Sequence, residues 1–108
     1  ENDPTFIAII IGWLNYLVRK GGIKETEKAL EFYERINWIT EDVKIRLLEY
    51  LKGFENVESK NEGIKPEDHL LTLYIISKLK SREYVKTYRI KDLYNELVNK
   101  GIIKPNEL

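Results

Sequence analysis

The chain has 108 residues, with 18 basic and 18 acidic side chains, one histidine, and neither cysteine nor methionine. That length makes one domain, able to bury very roughly two thirds of its unfolded surface, and the cancelling charge excludes a surface built throughout for phosphate backbones. The missing cysteine excludes thiolate catalysis, thiolate metal sites and disulfide frameworks. With no methionine and an opening Glu1-Asn2-Asp3-Pro4, the sequence reads as a domain excised from a longer chain just before a helix. The lack of glutamine beside abundant Lys, Glu and Ile fits a thermophile source.

In chain order, Asp3 followed by Pro4 starts a helix: a carboxylate cap, then a proline whose missing N–H costs nothing in the first turn. Phe6, Ile10, Trp13 and Leu17 share one stripe of it, Ile7, Ile11, Leu14 and Val18 another, and Gly21-Gly22 ends it. So wide an apolar arc is either central to a core or covered by a partner. The run Phe6 to Val18 is shorter than the roughly 20 residues a membrane span requires. It also lacks the basic leader and cleavage site of a signal peptide, so the expectation is a cytoplasmic domain without membrane insertion.

A second helix is expected from about Lys24 to Ile36, with Ala29, Leu30, Tyr33 and Ile36 inward. It breaks at Asn37, and a third helix starts behind Thr40, whose hydroxyl can cap the orphan amides while Glu41 and Asp42 favour the first turn. Val43, Leu47, Tyr50, Leu51 and Phe54 form its buried face, and Gly53 its left-handed exit. Residues 54–65 show no period and read as a surface loop. Pro66-Glu67-Asp68 opens a fourth helix whose apolar set is Leu70, Leu73, Tyr74, Ile76 and Leu79. Residues 83–89 fit an extended segment or a continued helix. A fifth helix covers about Ile90 to Lys100, with Leu93, Tyr94, Leu97 and Val98 inward and Gly101 as terminator. The fold class is therefore all-α: a compact bundle of about five short helices in a single domain.

No catalytic, cofactor or metal constellation emerges. His69 stands alone near the start of the fourth helix, and no nucleophile or carboxylate pair can be placed around it. Gly21-Gly22 lacks the strand and the Lys-Ser/Thr of a phosphate loop. Charge is uneven, however: residues 1–58 carry eight Lys/Arg against eleven Asp/Glu, and residues 59–108 ten against seven. Lys78, Lys80, Arg82, Lys86, Arg89 and Lys91 face only Glu83 between positions 78 and 91. This basic segment is a solvated face, a dock for an acidic protein partner, or a nucleic-acid surface. The third option would use residues 90–103 in the manner of a winged helix, yet recognition helices usually display Arg, Lys, Asn or Gln toward base edges, and the outward set here mixes the acids Asp92 and Glu96 with Asn95 and Asn99.

Three blocks resemble one family. Gly12-Trp13-Leu14-Asn15-Tyr16-Leu17-Val18 with Gly21-Gly22 is similar to its tryptophan-leucine helix ending in glycine. Phe32-Tyr33 and Asn37-Trp38-Ile39-Thr40, followed by Leu47-Leu48-Glu49-Tyr50-Leu51-Lys52-Gly53-Phe54, are similar to its aromatic pair, tryptophan turn and leucine-rich helix. His69 to Leu79 is similar to its last helix. The family is that of the archaellum (archaeal flagellum) accessory proteins FlaD and FlaE, with Trp13, Tyr33, Trp38, Thr40 and Gly53 as the structural signature. Residues 82–108 form a C-terminal extension beyond it. The resemblance implies a non-enzymatic, cofactor-free scaffold at the membrane-bound motor. Its implied partners are FlaC, other FlaD/FlaE chains, the ATPase-platform assembly and chemotaxis adaptor proteins.

Overall fold

The first helix, α1, spans Pro4–Arg35 as one element bent at Gly22, whose φ of 90° and ψ of 171° are non-helical. The computed structural model describes residues 4–81 and 90–105. There α1 is followed by α2 (Glu41–Leu51), a 3₁₀ turn (Lys52–Phe54), α3 (Pro66–Ser81) and α4 (Ile90–Asn99). The first two expected helices are thus two arms of one bent helix, and the described residues form four α-helices, not five. No strand occurs among the described residues; the alternating segment 83–89 lies outside them.

The bend is held from outside. In an unbroken helix the carbonyls of residues 19 and 20 would accept from the amides four residues on. Here Lys60 N–H donates to the Arg19 carbonyl at 2.7 Å, and the Glu62 and Gly63 amides donate to the Lys20 carbonyl at 2.9 and 3.0 Å. Left-handed Asn61 (φ 55°) and Gly63 (φ 86°) shape the loop that delivers these donors. Gly21 has no Cβ to press on Ile64 from 3.1 Å. Beyond the bend, fully buried Thr26 returns its hydroxyl to the Gly22 carbonyl at 2.9 Å.

The core gathers around the first arm, where Ile9, Trp13, Leu14, Leu17 and Val18 are buried. Ala29, Leu30 and Tyr33 face them from the second arm, and Leu47, Leu51 and Phe54 from α2 and its 3₁₀ turn. α4 closes the globule with Leu93 and Leu97, and Ile103 after it fills the notch over Gly12. The radius of gyration, 13.3 Å, is that of a compact chain of this length. Taken whole, α1 is long and apolar enough by length and composition to cross a membrane. About a third of that apolar stretch is buried in this fold, with Ile9, Trp13, Leu14, Leu17 and Val18 in the core.

Four apolar residues expected inward or in an apolar set are exposed: Ile36, Val43, Leu70 and Leu73. On α3 the reason is visible, because the buried line is Asp68, Thr72 and Ile75, at i, i+4 and i+7. Polar side chains lie on the inner face, so the apolar set is turned partly outward. Gly53 is not left-handed either. α2 tightens into a 3₁₀ turn with right-handed Lys52 and Glu55 at its ends, which satisfies the last carbonyls without a glycine exit.

Candidate functional site

The corner at residues 36–40 is built from a helix-ending motif and a helix-starting one. Asn37 takes φ 66°, Trp38 N–H donates to the Tyr33 carbonyl at 2.9 Å, and Asn37 N–H to the Glu34 carbonyl at 3.0 Å. These are the two bonds of a Schellman ending, and its usual apolar contact is present too: the Trp38 ring stacks on Tyr33 with centroids 5.3 Å apart. Thr40 Oγ1 then accepts from Val43 N–H at 3.2 Å and starts α2. Lys44, one turn in, reaches Glu34 at 2.9 Å and Glu31 at 3.2 Å, and these bonds raise its pKa.

Behind the corner runs a polar seam. Trp13 Nε1 donates to Thr72 Oγ1 at 2.9 Å. That oxygen lies 3.2 Å from the Tyr33 hydroxyl, which meets His69 Nδ1 at 2.7 Å. His69 sits edge-on to Tyr33 and tilted against Phe32. One turn below, Asp68, only 1% exposed, accepts from the Tyr16 hydroxyl at 2.7 Å and the Lys65 amide at 2.8 Å, with Lys20 Nζ 3.6 Å away. Burial and the Asp68 carboxylate push the Tyr16 hydroxyl far above its ordinary pKa, and burial raises Tyr33 as well. The hydrogen bond to Glu96 raises Tyr74, and together with Lys100 it lowers the Glu96 carboxyl. The buried polar groups of this seam have partners, as burial demands.

Of the signature residues, Trp13, Tyr33, Trp38 and Thr40 come together around this corner, while Gly53 lies at the far end of α2. Sequence reasoning missed Thr26, Asp68 and Thr72. A signal for the last two existed: Trp13 and Tyr16 carry polar tips one turn apart, and buried tips need partners at matching helical spacing.

In front of the corner lies an open, mostly apolar groove of about 760 Å³. One wall is the first arm of α1, with Phe6, Ile10 and Trp13; the other is α2, with Val43, Leu47 and Tyr50. Trp38 and Ile39 contribute from the corner, and Ile76 and Leu79 from α3. Glu34, Glu41, Asp42, Arg46 and Lys80 also line it. No cluster of metal-ligating side chains occurs among the described residues.

The basic segment is only partly within the described residues, since Arg82, Lys86 and Arg89 lie outside them. Lys78 stands over the Tyr74 ring, 5.5 Å from its centroid, whereas Lys80 reaches the Trp38 carbonyl at 3.5 Å. Two residues apart on a helix, they face different ways. Lys91 is exposed on the first turn of α4.

No solved structure matches this chain. Flagella-related protein E of Methanocaldococcus jannaschii is 29% identical over 87 residues, covering 77% of this chain and 62% of the relative. Flagella-related protein D of the same organism is 29% identical over 85 residues, covering 74% of this chain and 25% of the relative. Protein E of Methanococcus voltae is 27% identical over 85 residues, covering 75% and 63%. The chain thus spans less than two thirds of each. The pattern of the archaeal flagella protein family matches residues 1–81, ending where α3 ends. This chain, whose tryptophan corner and α1–α3 frame lie within that match, belongs to the archaeal flagella protein family FlaD/FlaE.

Proposed function

We propose that this chain is a non-enzymatic interaction module of the archaellum's accessory assembly, held on the cytoplasmic side of the membrane-bound motor. The family ties it to the archaeal flagellum and motility. Its partners are FlaC, other FlaD/FlaE chains, the ATPase-platform assembly and chemotaxis adaptor proteins, and its work is to bind them and pass on conformational state. The observation that carries this reading is the contrast at the corner. The polar groups behind Trp38 are consumed by folding, while the side toward solvent is an open apolar groove, a surface suited to contact more than to reaction.

The basic segment, Lys78, Lys80, Arg82, Lys86, Arg89 and Lys91, docks an acidic partner surface. Its test is charge reversal at Arg82, Lys86 and Arg89, followed by association with purified archaellum components. Weakened association is expected; unchanged association with all of them removes the segment's role. Strongly salt-dependent binding to generic duplex DNA would replace the reading with a nucleic-acid one.

A further inference from the structure

We propose that the face shared by the second arm of α1 and by α3 is a contact between two copies of this chain, related by a two-fold axis, in which Arg35 of each copy meets Glu67 of the other. The proposal stands apart from the archaellum reading, because it concerns the chain with itself.

The apolar part of this face is a strip. Of the six large apolar side chains exposed among the described residues, four belong to these two helices: Phe32 and Ile36, each 38% exposed, with Leu73 at 37% and Leu70 at 66%. The two pairs adjoin through His69, whose ring centroid lies 5.7 Å from that of Phe32 and which stands one turn before Leu73. Further along, Lys80 reaches the Trp38 carbonyl at 3.5 Å, so the arm and α3 run side by side in the same sense. Apolar side chains gathered on a solvent-facing strip mark a surface for association.

Charge gives the strip two unlike borders. Three residues of helix turn about 60° short of a full circle. Leu73, Leu70 and Glu67 therefore fan outward on α3, and Phe32 and Arg35 fan outward on the arm, each set leading away from the His69 line. The charged side chains next to the four apolar ones by helical spacing are Lys28, Arg35 and Glu67. Lys28 is engaged by Glu25 at 3.5 Å, whereas Arg35 and Glu67 have no ion-pair partner among the described residues. The strip thus ends in a cation on the arm and in an acid on α3. A two-fold axis in the plane of contact, midway between these two residues, lays the arm of one copy over α3 of the other. Each Arg35 then meets a Glu67, and the apolar rows meet between them. A partner carrying one sign of charge would satisfy one border and oppose the other, so the best complement to this face is the face itself.

The test is sedimentation of the intact chain over a range of concentrations, with far-UV circular dichroism of every variant. A concentration-dependent dimer is expected. Leu70→Asp should weaken it at least tenfold without harm to the fold, since the position is 66% exposed. Arg35→Glu alone and Glu67→Arg alone should each weaken it at least tenfold, because each gives both borders one sign. An equimolar mixture of those two variants should recover a heterodimer, in which both borders again meet their opposites, and the two changes in one chain should recover the homodimer. Should either reversal lower the helix content, Arg35→Gln and Glu67→Gln replace the pair, each with weaker dimerisation expected. A chain that stays monomeric at its highest soluble concentration overturns the proposal. So does a dimer that Leu70→Asp leaves unchanged, or a mixture of the two reversals that stays monomeric. None of these outcomes involves an archaellum component, so failure here is distinct from failure of the interaction-module reading.

Discussion

The ends of α1 and α4 close with the same backbone bonds. At the first, Trp38 and Ile39 N–H reach the Tyr33 carbonyl at 2.9 and 3.4 Å; at the second, Ile102 and Ile103 N–H reach the Leu97 carbonyl at 2.9 and 3.3 Å. Left-handed Asn37 (φ 66°) serves one, left-handed Gly101 (φ 79°) the other. Past the turn the two exits diverge. Trp38 stacks on Tyr33 at the edge of an open groove, whereas Ile103 drops into the notch above Gly12 and becomes 2% exposed. One turn therefore serves as the border of a surface or as the plug of a core, depending on what the receiving helix offers. Gly12 offers a missing Cβ, and the groove wall offers a row of full side chains.

The largest expected difference comes from removing the two delivered side chains. Ile103→Ala should cost about 2–5 kcal/mol in denaturant unfolding, because it empties a filled notch. Trp38→Ala should cost about 1–2 kcal/mol, since the ring is only partly buried and loses mainly its stack; equal losses would erase the distinction. Gly12→Ala comes next. Its Cβ would stand 2.6 Å from Ile103 Cγ1, an overpacking worth about 1–3 kcal/mol. With Ile103→Ala the pair should cost less than the sum, and additivity would deny that the two sites are one joint.

A smaller effect separates the turn residues themselves. Gly101→Ala meets nothing within 4 Å, so its expected cost of about 1–2 kcal/mol is purely conformational. Asn37→Gly should raise stability by under about 1 kcal/mol. A loss instead would mean that the asparagine side chain contributes at the corner. The last effect is confined to alkaline pH and comes from Tyr16. The folded chain holds Tyr16 above its ordinary value of 10.0, so its contribution is fully present below about pH 10 and is lost as pH rises through the folded value. Tyr16→Phe should flatten the alkaline fall in stability, and both exits should keep their relative order throughout the titration.

Legibility in the sequence followed the range of the interactions. The corner was readable because Asn37, Trp38 and Thr40 act on backbone within five residues of themselves, and capping chemistry is local. Leu93 and Leu97 were readable because a helical stripe of leucines has one plausible use. Gly53 was misread for the same reason turned around: a glycine after a helix predicts a left-handed exit, and the 3₁₀ continuation through Lys52–Phe54 needs none. Asp68 and Thr72 could not be read from hydropathy, since their burial depends on partners 52 and 59 positions away. Once they take α3's inner face, Leu70 is left 66% exposed. The open groove is a product of tertiary packing, and only its lining of aromatic and aliphatic residues was visible beforehand.

The loop that grips the bend at Gly22 carries a consequence for motion. Amides of irregular surface loops normally exchange with solvent quickly, but those of Lys60, Glu62 and Gly63 are donors to α1 carbonyls. They should exchange at rates resembling those of the helix, and release only when the bend itself opens. Residues 60–63 and the two arms of α1 then breathe as one unit, so the angle between the arms is governed by a stretch of chain some 40 positions downstream.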